Sequence, residues 1–228
     1  MKICAISDIH GQFDNLSILP VDILFICGDI VPLKIQNNIP QSFKWFKKEF
    51  IKWCNNQPAN QIYLVGGNHD AFLERSPLEV KDLLLGTNIT ILYDEYAEYH
   101  DVDSDKIYTI WGSPLCHMFG NWSFMYSDEY EKEKFDLMPK EFDFLITHDA
   151  AYGRNDICFQ NVYWNKGEHI GNPALSEVLK YKKPKYHFTG HLHSSDHNLT
   201  DYDGTLTACV SLLDENYNIT YSPLYLDI

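Results

Sequence analysis

The sequence predicts an α/β fold of four layers, two mixed β-sheets packed as a sandwich between flanking helices. Three observations predict it. Strand-length apolar runs recur along the 228 residues, and several are near-continuous and β-branched, as strands buried on both faces tend to be. Helical periodicities fall between some of these runs, and two sheets face to face with helices outside would bury both kinds of surface. Polar clusters follow several of the runs directly, at the strand ends where α/β sheets hold ligands.

The strand candidates are residues 3–7, 23–27, 62–65, 89–93, 107–111, 142–147, 186–189, 205–212 and 219–226. Phe43, Phe46, Phe50 and Trp53 lie at helical spacing and predict a helix over 41–54. Ser76-Pro77-Leu78-Glu79 reads as a capping box with proline at the first helical position, and Gly86 as the stop of that helix. Asn172-Pro173 starts another helix, which Pro184 bars from continuing. Residues 112–130 and 150–171 read as long loops, and the acidic stretches 101–105 and 128–133 as solvated surface. Residues 194–228 either form a dimer face or complete the second sheet, and alternation within 207–212 and 219–226 favours the sheet. No linker, repeat or low-complexity tract interrupts the chain, so a single domain over 1–228 is expected.

Composition narrows the function. A content of 45% hydrophobic and 22% charged residues is that of a folded globular chain rather than a disordered one. The formal charge of −14, with Arg75 and Arg154 the only arginines, argues against a duplex nucleic-acid binder. No apolar run approaches the ~18–20 residues of a membrane helix, so no membrane partner is expected. Met1-Lys2 leads straight into Ile3-Cys4-Ala5-Ile6 with Asp8 close behind, which does not read as a signal peptide. Six cysteines lie scattered without a CxxC pair, and Cys4, Cys27 and Cys209 sit inside apolar runs as small core residues. A reducing, cytoplasmic location is the expectation.

The polar clusters carry the chemistry. They are Asp8-Ile9-His10, Gly28-Asp29, Gly66-Gly67-Asn68-His69-Asp70, Thr147-His148 and Gly190-His191-Leu192-His193. In extended chain, residues i and i+2 point the same way, so Asp8 with His10 and His191 with His193 converge in pairs. Carboxylate, imidazole and one amide oxygen together suit Mn, Fe or Zn better than Ca or Mg. Seven candidate ligands exceed one tetrahedral site and suit two ions, with Asp29 the natural bridge. Two such ions about 3.5–4 Å apart can hold a hydroxide between them for in-line attack at phosphorus. Each piece has a plainer reading alone: Asp-x-His is common, Gly28-Asp29 is a turn, Gly67-Asn68 is a left-handed turn, and a lone His148 is a core histidine. Their joint occurrence, in this order and each at a strand end, has no such reading.

Taken together, Asp8-x-His10, Gly28-Asp29, Gly67-Asn68-His69-Asp70, His148 and Gly190-His191-x-His193 resemble the signature of the calcineurin-like metallophosphoesterases, from residue 3 to about 193. The resemblance implies a β-sandwich with flanking helices and two divalent metal ions at one sheet rim. It implies that Asp8, His10 and His193 hold one ion, that Asn68, His148 and His191 hold the other, and that Asp29 bridges them. It further implies that His69 binds the phosphate or protonates the leaving oxygen, with Asp70 as its orienting partner. Trp111-Gly112-Ser113-Pro114, then Thr147 to Gly153, then His169-Ile170-Gly171 resemble a branch of small single-domain phosphodiesterases. That branch often has Gly-Pro-Pro where this chain has Asp149-Ala150-Ala151, a departure that adds a carboxylate beside a metal-ligand candidate and bears on the shape and charge of the substrate pocket rather than on the metal centre.

Around the site, Arg154 is placed to pair with a substrate phosphate, or else is a solvated loop arginine. Trp111, His117, Phe119, Trp122 and Trp164 either line a substrate pocket or pack the long loops onto the core. The leading expectation is a hydrolase in which a metal-bridging hydroxide cleaves a small phosphodiester. The alternatives are a phosphomonoesterase, a nuclease of the same superfamily, and a non-catalytic scaffold that keeps the fold.

Overall fold

Residues 1–14, 16–159 and 167–228 are described by the computed structural model. In chain order the strands are β1 (Lys2–Ile6), β2 (Val21–Cys27), β3 (Ala59–Val65), β4 (Ile89–Ile91), β5 (Glu95–Asp101), β6 (Lys106–Ser113), β7 (Cys116–His117), β8 (Met125–Tyr126), β9 (Glu141–Thr147), β10 (Lys183–Thr189), β11 (Thr200–Tyr202), β12 (Thr205–Cys209) and β13 (Leu224–Asp227). The helices are α1 (Ile39–Trp45), α2 (Ile51–Asn55), α3 (Ala71–Arg75), α4 (Pro77–Leu84), α5 (Asp128–Phe135) and α6 (Pro173–Val178).

One sheet has the order β13-β1-β2-β3-β4 and the other β11-β12-β10-β9-β6-β5, while β7 and β8 form a small sheet of their own. The central strands run parallel; an antiparallel strand lies at one edge of the first sheet, β13 on β1, and at both edges of the second, β11 on β12 and β5 on β6. Period-two alternation decides which side chains meet between the sheets. Ile3, Ile23, Phe25 and Val65 of the first face Ile110, Phe144, Ile146 and Phe188 of the second in one buried cluster. Phe25 stands 5.0 Å from Phe144 and 5.7 Å from Phe188 between ring centroids; truncating such a ring to alanine costs about 3–5 kcal/mol.

The other face of each sheet is covered by helices. Leu24, Ile26, Ile62 and Leu64 pack under Phe46, Phe50, Phe72 and Val80, and Trp111 and Leu145 pack under Phe135, Leu175 and Val178. Four layers result, as the sequence predicts.

Local starts and stops differ in detail from expectation. The helix expected over 41–54 begins earlier, where Gln41 N–H donates to Asn38 Oδ1 at 3.1 Å. A π-helical turn at Phe46–Phe50 interrupts it, and the rings of Phe46 and Phe50 stack there at 5.3 Å, both buried. The capping box at Ser76 is not formed: its hydroxyl makes no cap bond, and α4 starts on Pro77 with Val80 N–H donating to Ser76 O. Asn172 does cap α6, accepting from Leu175 N–H at 2.9 Å.

The acidic run read as surface forms α5, whose Glu131 and Phe135 are buried one turn apart. Strand β5, rich in polar residues, was hidden because as an edge strand it buries only part of one face. The C-terminal segment divides: β11 and β12 complete the second sheet, but β13 returns to the first, pairing Leu226 with Ile3. Its half-buried apolar residues cover the open edge of β1, which the N-terminal strand would otherwise present to solvent. Among the described residues no helix is long and apolar enough to cross a membrane.

Candidate metal centre

The parallel strands β1, β2 and β3 of the first sheet and β9 and β10 of the second end at one rim. A main-chain bond joins the two sheets there, Ser7 N–H donating to Val210 O at 2.8 Å, while Val210 N–H to Thr189 O at 2.7 Å and Gly190 N–H to His148 O at 2.9 Å carry the pairing of the second sheet past its strand ends. Each polar cluster therefore emerges beside the others.

The side chains converge, but not through extended chain. Asp8, His10, Asp29 and His191 all have left-handed backbone, with φ of 55°, 40°, 53° and 66°. This replaces the i, i+2 geometry expected from the spacing. Non-glycine residues in that region cost of order 1–3 kcal/mol each and gather where a site needs them. The approach is close as well: a Cβ at Gly190 would strike Ser7 Oγ and Asp8 Oδ2, and one at Gly67 would strike Asp29 and His148.

Three histidines are anchored by the same device. Nδ1 of His148 bonds Cys27 O at 2.8 Å, Nδ1 of His193 bonds Asp214 O at 3.0 Å, and Nδ1 of His10 bonds Val31 O at 3.3 Å. A carbonyl only accepts, so Nδ1 carries the hydrogen and Nε2 is left for other partners. His193 Nε2 lies 3.3 Å from Asp8 Oδ1, and His148 Nε2 lies 3.0 Å from Asn68 Oδ1 and 3.4 Å from Asp29 Oδ2. His10 Nε2 is 3.7 Å from Asp29 Oδ2 and, though buried, has no hydrogen-bond partner among the described residues.

An orphaned imidazole nitrogen beside buried carboxylates is what a cation site presents. Two overlapping groups have ligand atoms within 4.8 Å of one another, Asp8 with His10 and His193, and Asp8 with Asp29 and His148. The donor set fits divalent ions.

The electrostatics agree. Burial opposes the Asp8 charge, but its bond to His193 holds the carboxyl down at about 2. Burial likewise opposes the charge on Asp29, yet His148, His69 and His10 keep it well below the usual carboxylate range. Burial would depress His148 and His193, and the carboxylates outweigh it, lifting them to about 10 and about 9. For His10 and His191 burial prevails and lowers both to about 4. The protons on His148 and His193 thus neutralise the two aspartates, a task a bound cation would take over.

His69 N–H donates to Asp29 Oδ1 at 2.8 Å. Its ring meets Gln36 Oε1 through Nδ1 and lies 4.7 Å from the Trp122 ring. Asp70 does not orient it, contrary to expectation. Asp70 is fully buried and accepts from Ile30 N–H, Val31 N–H and Gly67 N–H at 3.0–3.1 Å, tying the loops after β2 and β3 together. Burial and the charge of Asp29 raise it to about 7.

A cleft of about 1090 Å³ opens over the cluster. Besides the candidate ligands it is lined by Gln36, His69, Phe119, Trp122, Glu215 and Tyr217, among others, and no lysine or arginine lines it among the described residues.

The three residues expected to bind substrate are placed elsewhere. Arg154 is buried against the β11–β12 turn, donating to Tyr202 O at 3.4 Å and pairing with Asp203 at 3.5 Å. Trp111 belongs to the outer core of the second sheet, because its position on β6 points away from the sandwich interior. His117 is held by Asp149, which accepts from its backbone N–H at 3.0 Å and from Nδ1 at 2.7 Å. The Phe119 ring lies 5.8 Å from that of His117 and 5.3 Å from that of His191. Trp164 lies outside the described residues.

Sequence reasoning missed Gln36 and Tyr217. Tyr217 sits on a turn in which Asp214 Oδ1 accepts from Asn216 N–H and Asn218 N–H, and its ring edges within 5.3 Å of both His10 and His193. Asp214-Glu215-Asn216 does signal a turn, but nothing local tells which histidines the turn will lean on.

Known proteins resemble this chain along most of its length. Residues 1–195 match the calcineurin-like phosphoesterase family. The UPF0046 protein T07D4.2 of Caenorhabditis elegans is 28% identical over 96% of the chain, which spans 58% of that protein. The human metallophosphoesterase domain-containing protein 1 is 24% identical over the whole chain, which spans 71% of it. The lariat debranching enzyme of Schizosaccharomyces pombe is 28% identical over 87% of the chain and is matched over 50% of its own length. Among solved structures, the phosphopantetheinyl hydrolase of Mycobacterium tuberculosis shares the fold with a TM-score of 0.58 at 14% identity, over 95% of this chain and 90% of that one. With a match that runs from β1 through β10 and takes in every polar cluster at the rim, the chain belongs to the calcineurin-like phosphoesterase family, whose reaction class is the hydrolysis of phosphoric ester bonds.

Proposed function

We propose that this chain is a metal-dependent phosphoesterase that hydrolyses a small phosphodiester. The observation that carries the reading is the convergence, at one rim, of candidate ligands from five separate strand ends, with His10 Nε2 buried among them and without a hydrogen-bond partner among the described residues. Asp8, His10 and His193 would hold one ion and Asn68, His148 and His191 the other, with Asp29 between them. Bound there, two divalent ions would lower the pKa of a water and offset charge on the phosphoryl oxygens.

The chain's own groups supply the rest. The anchored Nδ1 atoms keep the Nε2 atoms aimed inward, so no reorganisation is needed at each turnover. His69, tied through Nδ1 to Gln36 Oε1, exchanges a proton at Nε2 with the departing ester oxygen. Phe119, Trp122 and Tyr217 give the cleft an apolar wall suited to the organic part of an ester. Among the described residues the lining has no lysine or arginine, which suits a singly charged diester better than a polyanion.

Protein reconstituted with Mn²⁺ should hydrolyse bis(p-nitrophenyl) phosphate faster than p-nitrophenyl phosphate, and His191→Ala should abolish both activities. Turnover of the monoester alone would overturn the diester reading, and full activity in His191→Ala would overturn the metal mechanism.

A further inference from the structure

The loop residues between β6 and α5 bring a cysteine to the metal cluster. Cys116 opens the small strand β7, pairs with Met125 of β8, and donates its backbone N–H to Phe124 O at 3.0 Å. It is fully buried. The thiols of Cys27, Cys158 and Cys209 have polar partners, whereas no hydrogen bond of the Cys116 thiol is found among the described residues. Its Sγ shares a sphere of 4.8 Å with ring nitrogens of His148 and His191.

A tetrahedral zinc with bonds of about 2.0–2.3 Å sets its donors roughly 3.3–3.8 Å apart, so these three atoms need close by no more than about 1.5 Å to share an ion. A negative charge stands beside the cysteine: the next residue's backbone N–H, that of His117, donates to Asp149 Oδ2 at 3.0 Å, and Asp149 Oδ1 is buried without a hydrogen-bond partner among the described residues.

We infer that Cys116 is a sulfur ligand of the ion held by His148 and His191. The inference rests on the two-ion reading above and deepens it, because it makes the two sites chemically unequal. The site of Asp8, His10 and His193 has only oxygen and nitrogen donors. The site of His148 and His191 gains a soft thiolate, which favours zinc or ferrous iron over manganese. On binding, the Sγ–metal bond replaces the S–H bond and the proton leaves to solvent.

Cobalt(II) is the probe, because a thiolate ligand adds a sulfur-to-cobalt charge-transfer absorption in the near ultraviolet. The full chain loaded with cobalt should bind two ions and show this band. Cys116→Ser and Cys116→Ala should lose it, while Cys54→Ser, altered in the helical layer, should keep it. Second-site zinc affinity in Cys116→Ser should fall at least about tenfold, and zinc X-ray absorption of the unaltered protein, which needs no variant to fold, should show one sulfur shared over two ions. Two bound cobalt ions without the band, or a band that survives in Cys116→Ser, would overturn the sulfur ligand and leave the two-ion reading standing. Failure to bind any cobalt would overturn both.

Discussion

The floor of the cleft and its rim are built on different physical terms. On the floor, His10, Asp29, Asn68, His148 and His193 are nearly inaccessible to solvent, and the three of these that are histidines are pinned by a main-chain carbonyl. The rim is made of loop side chains, Phe119, Trp122, Tyr217 and Gln36, which remain partly exposed and are held chiefly by ring contacts. A floor of this kind fixes geometry at the cost of strained backbone. A rim of this kind can change its shape and chemistry without disturbing the sheets beneath.

Removing a floor residue should therefore be far more damaging than removing a rim residue. Asp29→Ala deletes the carboxylate shared by His10, His69 and His148. Turnover of bis(p-nitrophenyl) phosphate should drop at least about 10³-fold, in line with the several kcal/mol that metal-ion charge supplies, and bound metal measured by mass spectrometry should fall with it. His69→Ala stands at the boundary of the two regions. It should lower kcat about 10²-fold with metal content unchanged, as loss of a proton donor does; a loss of metal instead would make His69 part of the floor.

The same contrast explains what was readable from sequence. The strand ends were legible because continuous β-branched runs stop at glycine and at charged residues, as at Gly28-Asp29 and Gly190-His191. The ligand candidates were legible because five such ends recur in order. The left-handed backbone at Asp8, His10 and His191 was not, since φ at a single residue is set by the neighbours packed around it, which lie far off in sequence. Arg154, Trp111 and His117 looked functional by residue type, but their partners are Asp203, Phe135 and Asp149, at separations no local pattern encodes. Cys116 was lost among six scattered cysteines for the same reason.

Beneath the floor, Asp70 tests whether the site's rigidity is structural. Asp70→Ala would leave the buried N–H groups of Ile30, Val31 and Gly67 without their acceptor. At about 1–3 kcal/mol for each stranded group, denaturant unfolding should register a loss of roughly 3 kcal/mol or more. A loss below about 1 kcal/mol would mean that water or a relaxed loop satisfies these groups.

Glu131, behind the rim, supplies a pH test. Burial, with the charge of Asp149 and against its bond from Asn172, raises its carboxyl from 4.5 to about 7. The unfolded chain releases this proton near pH 4.5 and the folded chain only near pH 7. Stability contributed by the neutral acid is therefore lost as pH rises through that window, by about 2–3 kcal/mol, and is level above it. Glu131→Gln keeps the acceptor for Asn172 and removes the charge. It should flatten this part of the pH profile and raise the melting temperature at pH 8; identical pH slopes in the two proteins would show that Glu131 ionises normally in the fold.

The smallest effect is expected at Arg154, and it is informative because the residue type suggests the opposite. Its guanidinium is nearly buried, reaches Tyr202 O and Asp203, and lies 5.8 Å from the Tyr202 ring centroid. Those contacts anchor the loop after β9 to the turn between β11 and β12 and use the planar face and the edge of the side chain together. Ion pairs of this kind contribute about 0–1 kcal/mol, with a comparable term from the ring. Arg154→Ala should lower the melting temperature slightly and leave kcat/KM for the diester within about twofold. A tenfold rise in KM at unchanged stability would place Arg154 on the substrate after all. It would also mean that the turn holding it opens during catalysis, so that the rim extends to the edge of the second sheet.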